Sequence, residues 1–296
     1  MSSIKKIGWI GTGVMGKSMC KHLMKSGYQL SVFNRTMSKT QELVDLGAKI
    51  MEPEKMPENC DAIFMMLGYP KDVEEMTLGN HGILKKMKKG SFLVDHTTSS
   101  PDLAEKIFEE SNRIGVHSFD APVSGGDIGA QNGKLVVMAG GQDENFTEVE
   151  QVMKSYSAKI KLMGLAGKGQ HTKVSNQIII GSTMIGLVEG MVYGYRAGLN
   201  LENLIELLST GAAGSFSMNC YGGRILKRNF EPGFYIEHFV KDLEIALKEC
   251  EKMSLNLKGL ELAHKFYKLL LDEGHGKKGT QALILAIEKL NKINYL

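Results

Sequence analysis

Between Lys5 and Lys161 short apolar runs recur along the chain, and the segments between them carry apolar residues at helical spacing. The runs are Ile7–Ile10, Leu30–Phe33, Ala62–Met66, Phe92–Val94 and Leu135–Met138. Runs of this length suit strands buried on both faces, and their alternation with helical segments predicts a parallel, doubly wound sheet. After Gly169 such runs stop. From there to Leu296 the apolar period is helical, as in Leu201–Leu208, Asp242–Met253 and Leu260–Leu271. The pattern predicts an α/β domain followed by an all-α C-terminal domain, joined by a long interdomain helix that begins near Gln170. The three glycines of Gly164–Gly169 mark the boundary, with residues 1–165 on one side and 166–296 on the other. The most apolar helical stretch, Ile178–Val192, is interrupted by Gly181, Ser182, Gly186 and Glu189. It is read as a buried helix, too short to cross a hydrocarbon core of about 30 Å, so no membrane is implied.

Composition adds limits to this picture. A chain of 296 residues suits two packed domains, and 43% hydrophobic with 23% charged residues is ordinary for a globular protein. A net charge of +3, with lysines scattered along the chain, implies no nucleic-acid partner. Cys20, Cys60, Cys220 and Cys250 lie far apart, which suggests neither a disulfide framework nor a zinc site. The eight histidines show no metal-binding spacing. Met1–Lys6 leads straight into the first strand run without the pattern of a signal peptide, so the expected location is cytoplasmic. Gly274–Gly279 reads as an exposed loop with no function.

The first chemical signal is Gly11-Thr12-Gly13-Val14-Met15-Gly16, set between the first strand run and a helical segment. In that setting the first glycine permits a tight turn, Gly13 lets the backbone approach a pyrophosphate, and Gly16 lets helix and strand pack closely. The helix N-terminus then offers free N–H groups to the phosphates. The α/β domain is therefore expected to be a dinucleotide-binding Rossmann domain. At the end of the second strand run, where NAD enzymes place a carboxylate on the ribose, the chain has Asn34-Arg35-Thr36. An arginine fork and a threonine hydroxyl, with Lys39 one turn later, suit a 2′-phosphate, so NADP is the expected cofactor and NAD the alternative.

Four further segments join the glycine pattern. They are Asp95-His96-Thr97-Thr98, Asp120-Ala-Pro-Val-Ser-Gly-Gly126, Gly167-Lys-Gly-Gln-His-Thr-Lys-Val-Ser-Asn-Gln177 and Phe239-Val-Lys-Asp-Leu243. Together they cover almost the whole chain, which resembles the β-hydroxyacid dehydrogenases. The resemblance implies that Ser124, Gly125 and Gly126 grip a substrate carboxylate and that Lys173 is the catalytic lysine. It further implies that Asn176 works beside Lys173, that Gln177 and Lys241 bind substrate, and that Met66, Leu67 and Thr98 line the cofactor. Where the family often has a second asparagine this chain has Gln177, one methylene longer, which bears on substrate choice.

The implied reaction is the interconversion of a small carboxylated β-hydroxyacid and its semialdehyde. It needs a proton donor and acceptor beside the nicotinamide, and lysine can serve in both directions. On a helix, Asn176 and Gln177 share the face of Lys173. The resemblance also implies a homodimer or homotetramer. A non-catalytic dinucleotide sensor or scaffold, and an imine reductase, stand as alternatives. The first is disfavoured by the joint presence of Lys173, Asn176 and Ser124, the second by Lys173, which imine reductases of similar architecture generally lack. A short-chain dehydrogenase is excluded, because no tyrosine is followed four residues later by lysine.

Overall fold

The computed structural model describes residues 4–294. Two compact units divide between Lys173 and Val174. The first holds a six-stranded parallel sheet in the order β3-β2-β1-β4-β5-β6. Its strands are β1 (Lys6–Ile10), β2 (Gln29–Phe33), β3 (Lys49–Ile50), β4 (Ala62–Met65), β5 (Phe92–Asp95) and β6 (His117–Asp120). Strand order reverses between β1 and β4, and the crevice at the carboxyl ends of strands at such a point is where doubly wound sheets bind nucleotides. A second, three-stranded sheet follows in the order β7-β8-β9, from β7 (Val123–Ser124), β8 (Leu135–Ala139) and β9 (Ser157–Leu162). The run at Leu135–Met138 therefore belongs to this smaller sheet, antiparallel to β7 and parallel to β9, and not to the main parallel sheet as the pattern suggested.

The helix Val14–Lys25 buries Gly16, Met19, Cys20 and Leu23, positions three or four apart that form one apolar stripe. They pack into a core around Trp9, whose ring stacks on Phe64 with centroids 5.8 Å apart. On the other face of the sheet, Ile10, Ile63, Met65 and Leu93 pack with Leu103 and Ile107 of the helix Pro101–Arg113. That helix starts sharply because Pro101 stands at its first position and the Ser100 hydroxyl accepts the Leu103 N–H at 3.3 Å.

The second unit is helical, with a core that includes Met184, Val188, Phe239, Leu243, Tyr267 and Leu283. The joining helix runs from Lys168 to Arg196, 29 residues, starting two residues before the expected Gln170, and the apolar stretch Ile178–Val192 lies inside it. By length and composition alone it could cross a membrane, which corrects the expectation that the segment is too short. Its apolar residues Val174, Met184, Ile185, Leu187, Val188, Met191 and Val192 instead belong to the core of the second unit. It is not buried all round, since Ile179 and Tyr193 are exposed. The division at Lys173 falls eight residues beyond the expected boundary at residue 165, because the first turn and a half of this helix is held by the first unit. Gly274–Gly279 is not simply exposed either. Gly276 and Gly279 are buried, and the Gly279 N–H donates to the Phe230 carbonyl at 2.8 Å.

Candidate active site

The glycine turn is built by three different constraints. Gly11 has φ +100°, and a Cβ there would lie 2.2 Å from the Met66 carbonyl oxygen, so neither conformation nor space admits a side chain. A Cβ on Gly16 would lie 2.0 Å from the Gly11 carbonyl oxygen, which is the close helix–strand approach. A Cβ on Gly13 would meet nothing within 4 Å. Glycine is thus not demanded by the protein at position 13. The open space stands at the start of the helix Val14–Lys25, whose N-cap Gly13 supplies no side-chain acceptor to its first amides. Uncapped N–H groups facing open space fit a pyrophosphate, so the residues present suit a dinucleotide.

The loop after β2 is tied to this turn. Asn34 Oδ1 accepts the Thr12 N–H at 3.0 Å, and Asn34 Nδ2 donates to the Thr36 carbonyl at 2.9 Å. The Thr12 hydroxyl, itself buried, donates to the Lys39 carbonyl at 3.2 Å. Asn34 and Thr12 therefore hold the loop in place, while Arg35, Thr36 and Lys39 stand exposed around it. Arg35 is 3.5 Å from the Asp72 carboxylate. Val14 is exposed, and Met15, Met66, Leu67 and Thr98 are half-buried.

A polar network then joins β5 to the start of the long helix. The buried Thr97 hydroxyl accepts the Leu67 N–H at 2.8 Å. Gln170, wholly buried, donates from Nε2 to the Thr97 carbonyl at 2.8 Å and accepts the Ser99 N–H at 2.9 Å. Asp120, at the end of β6, accepts the Gly167 N–H on Oδ1 and the Gln170 N–H on Oδ2, both at 2.8 Å. Its carboxylate so caps a 29-residue helix from outside that helix. Burial pushes the Asp120 carboxyl up to about 6 against the lowering effect of those backbone donors. Beside it, burial pushes His96 down to about 4. His96 Nδ1 donates to the Ala121 carbonyl at 2.6 Å, which leaves Nε2 to accept from the Tyr156 hydroxyl at 2.8 Å.

Lys173, about one and a half turns into the long helix, is only 7% exposed, and its ammonium donates to the Val123 carbonyl at 2.9 Å. Val123 directly precedes Ser124, Gly125 and Gly126, so the lysine is fixed against the backbone of the turn expected to hold a carboxylate. Gly125 takes φ +126°, a conformation closed to ordinary side chains, and opens the short helix Gly126–Gln131.

In the second unit the remaining candidates are gathered by one buried carboxylate. Asp242 Oδ2 accepts from Gln177 Nε2 at 2.6 Å, and Asp242 Oδ1 is 2.7 Å from Lys241 Nζ. Because a carboxylate only accepts, the Gln177 amide must turn its oxygen the other way, where it accepts from Asn176 Nδ2 at 2.7 Å. Asp120, Gln170 and Asp242 were given no role by sequence reasoning. All three lie inside motifs it quoted, and for Asp120 and Asp242 the usable signal was an acidic residue in an otherwise apolar strand or helix face.

Residues 6–164 match the family described as the NAD binding domain of 6-phosphogluconate dehydrogenase, and residues 167–287 match the NAD-binding domain of NADP-dependent 3-hydroxyisobutyrate dehydrogenase. The chain is similar over 291 residues, at 52% identity, to the probable 3-hydroxyisobutyrate dehydrogenase-like 1, mitochondrial, of Arabidopsis thaliana, covering 98% of this chain and 87% of that one. The chain belongs to the β-hydroxyacid dehydrogenase family. It is an NAD(P)-dependent oxidoreductase of that family. Another member, 2-hydroxy-3-oxopropionate reductase of Escherichia coli, is 34% identical over 96% of this chain and 97% of its own. The fold is shared with the crystal structure of 3-hydroxyisobutyrate dehydrogenase from Salmonella typhimurium, at a TM-score of 0.86 and 22% identity, over 95% of this chain and 99% of that one.

Proposed function

We propose that this protein interconverts a small carboxylated β-hydroxyacid and its semialdehyde, prefers NADP(H), and uses Lys173 as general acid and base. The observation that carries the reading is the buried Lys173 ammonium, held at 2.9 Å by the Val123 carbonyl at the edge of the Ser124–Gly126 turn. That hydrogen bond can hold the nitrogen in either protonation state, since an amine and an ammonium both have a proton to give to Val123. A neutral Lys173 keeps a lone pair to take the substrate hydroxyl proton, and a protonated one returns it to the nascent alkoxide. The bound nicotinamide supplies the hydride donor or acceptor.

Ser124 offers a hydroxyl, and Gly125 and Gly126 offer backbone N–H groups, to the substrate carboxylate. Asn176 orients the reacting oxygen, and Lys241, steadied by Asp242, adds a second positive charge for the carboxylate. Gln177 acts through its bonds to Asn176 and Asp242. The preference for NADP rests on the exposed Arg35 after β2 and on the absence of an acidic residue at Asn34-Arg35-Thr36. The matched C-terminal family is likewise described as NADP-dependent. Ile179 at 66% exposure and Tyr193 at 75%, with Leu207 and Phe216, give the second unit an apolar surface that suits a homodimer or homotetramer.

Lys173→Ala is expected to bind NADPH within about twofold of the parent and to lose about 10² to 10⁴-fold in kcat, the range for general acid/base catalysis. Lys173→Arg keeps the charge but stays protonated, so alcohol oxidation should fail as completely as in the alanine variant. Single-turnover rates at saturating substrate that match the parent protein would remove Lys173 from the reaction.

A further inference from the structure

The ion pair between Arg35 and Asp72 has a place in the fold that gives it a consequence for cofactor choice. Arg35 follows β2, and Asp72 lies in the first turn of the helix Pro70–Leu78, which follows β4. In the sheet, β2 and β4 flank β1 on either side. The pair therefore links the segments that follow the two strands flanking β1, at the carboxyl end of the sheet where such folds bind nucleotides. Arg35 Nη1 lies 3.5 Å from Asp72 Oδ1.

The two partners are held unequally. The Asp72 side chain is 30% exposed and stands at a helix N-terminus, where the helix dipole favours a carboxylate. The Arg35 side chain is 89% exposed. Asp72 is thus the fixed end of the pair and Arg35 the end that moves.

We propose that Asp72 is a specificity-determining residue that weakens the discrimination in favour of a 2′-phosphorylated ribose by competing for Arg35. The proposal rests on the reading that Arg35 receives the 2′-phosphate. A phosphate docking on the guanidinium must take it from a carboxylate and then sit near that carboxylate, and both effects oppose binding. A ribose without the phosphate brings no added charge, so Asp72 costs it less. Removing the Asp72 charge frees Arg35 for the phosphate, and the gain falls mainly on the phosphorylated dinucleotide.

The test is a set of dissociation constants for NADPH and NADH, read by the fluorescence of the reduced nicotinamide on the parent protein, Asp72→Asn, Arg35→Ala and the double variant. Exposed ion pairs are weak, so Asp72→Asn is expected to tighten NADPH about two- to fivefold at low ionic strength and to change NADH less. The gain should shrink in about 0.5 M salt, where surface charges are screened within a few ångströms. It should vanish in the Arg35→Ala background. Displacement of NADPH by 2′,5′-ADP, measured without turnover, should improve in parallel, and displacement by 5′-ADP should not. Asp72→Ser, which keeps a helix-starting side chain, should repeat the result and guards against a local folding defect. Equal tightening of NADPH and NADH, no tightening of NADPH, or a gain that survives Arg35→Ala overturns the role of Asp72. If Arg35→Ala leaves NADPH affinity unchanged, the phosphate reading of Arg35 falls and this proposal falls with it. If Arg35→Ala weakens NADPH while Asp72→Asn is without effect, only the proposal for Asp72 falls.

Discussion

His96 Nδ1 donates to the carbonyl of Ala121 at 2.6 Å, which ties a buried neutral imidazole to the residue after the buried carboxyl of Asp120. The two groups are shifted in opposite directions for the same reason. Burial penalises charge, so the Asp120 carboxyl is raised from 3.8 to about 6 and the His96 imidazole is lowered from 6.5 to about 4.

These shifts predict a compensated pH dependence. For His96 the folded protein releases its proton more easily than the unfolded chain, so its stabilising contribution is full above pH 6.5 and is lost as pH falls toward 4. For Asp120 the folded protein holds its proton more tightly, so its contribution is full below pH 3.8 and is lost as pH rises through 6. Each effect is about 3 kcal/mol across its window, and between pH 4 and 6 they oppose each other. Urea unfolding between pH 4 and 6.5 should therefore show His96→Gln gaining stability on acidification relative to the parent protein. Asp120→Asn should lose stability relative to the parent over the same range. Parallel curves for all three proteins would show that neither group titrates with folding.

A second prediction concerns the carboxylate that holds Gln177 and Lys241. In Asp242→Asn the new amide can accept from Gln177 only by turning its NH₂ toward the Lys241 ammonium, and in the flipped orientation it has no acceptor for Gln177. One of the two partners is therefore released. A hydrogen bond to a charged group is worth about 1.5–3 kcal/mol, so KM for a carboxylated substrate should rise roughly tenfold or more, with NADPH affinity unchanged. Initial-rate kinetics beside a cofactor titration decide it, and an unaltered KM would mean that Asp242 does not support substrate binding.

What the sequence made legible follows the range of the interactions. The glycine turn, the strand runs β1, β2, β4 and β5, and the helical second unit are local patterns, and each lies where it was expected. β3 is two exposed residues, and β9 alternates exposed Lys159 and Lys161 with half-buried positions at a sheet edge, so neither carries an apolar run. Asp120 meets Gln170 across fifty positions of sequence, Gln177 meets Asp242 across sixty-five, and Arg35 meets Asp72 from a different crossover. Nothing periodic announces such pairings. The helix Lys168–Arg196 was expected from near Gln170, and Gly181 and Gly186, which interrupt its apolar stretch in the sequence, lie within it without breaking it. In the structure Gly181 is where the helix passes close to Ala263, and a Cβ there would lie 3.1 Å from that methyl group.

The glycine turn yields the sharpest separation of folding from binding. Gly13 and Gly16 belong to one motif, yet they face opposite constraints. A methyl group on Gly16 would overlap the Gly11 carbonyl oxygen at 2.0 Å and the Trp9 indole nitrogen at 2.9 Å, both parts of the core. Overpacking of that kind forces backbone movement, and Gly16→Ala should cost about 1–3 kcal/mol of stability. A methyl group on Gly13 meets no protein atom within 4 Å, and φ −70° is open to alanine. Gly13→Ala should then unfold within about 1 kcal/mol of the parent protein, the loss of a glycine cap being small. Its added carbon instead stands where a pyrophosphate must approach the backbone, so affinity for NADPH and NADH alike should fall roughly tenfold or more. Thermal melts without cofactor, set beside fluorescence titrations with both dinucleotides, read the two effects separately. A Gly13→Ala protein that binds both cofactors like the parent would remove the open space above Gly13 as the pyrophosphate site.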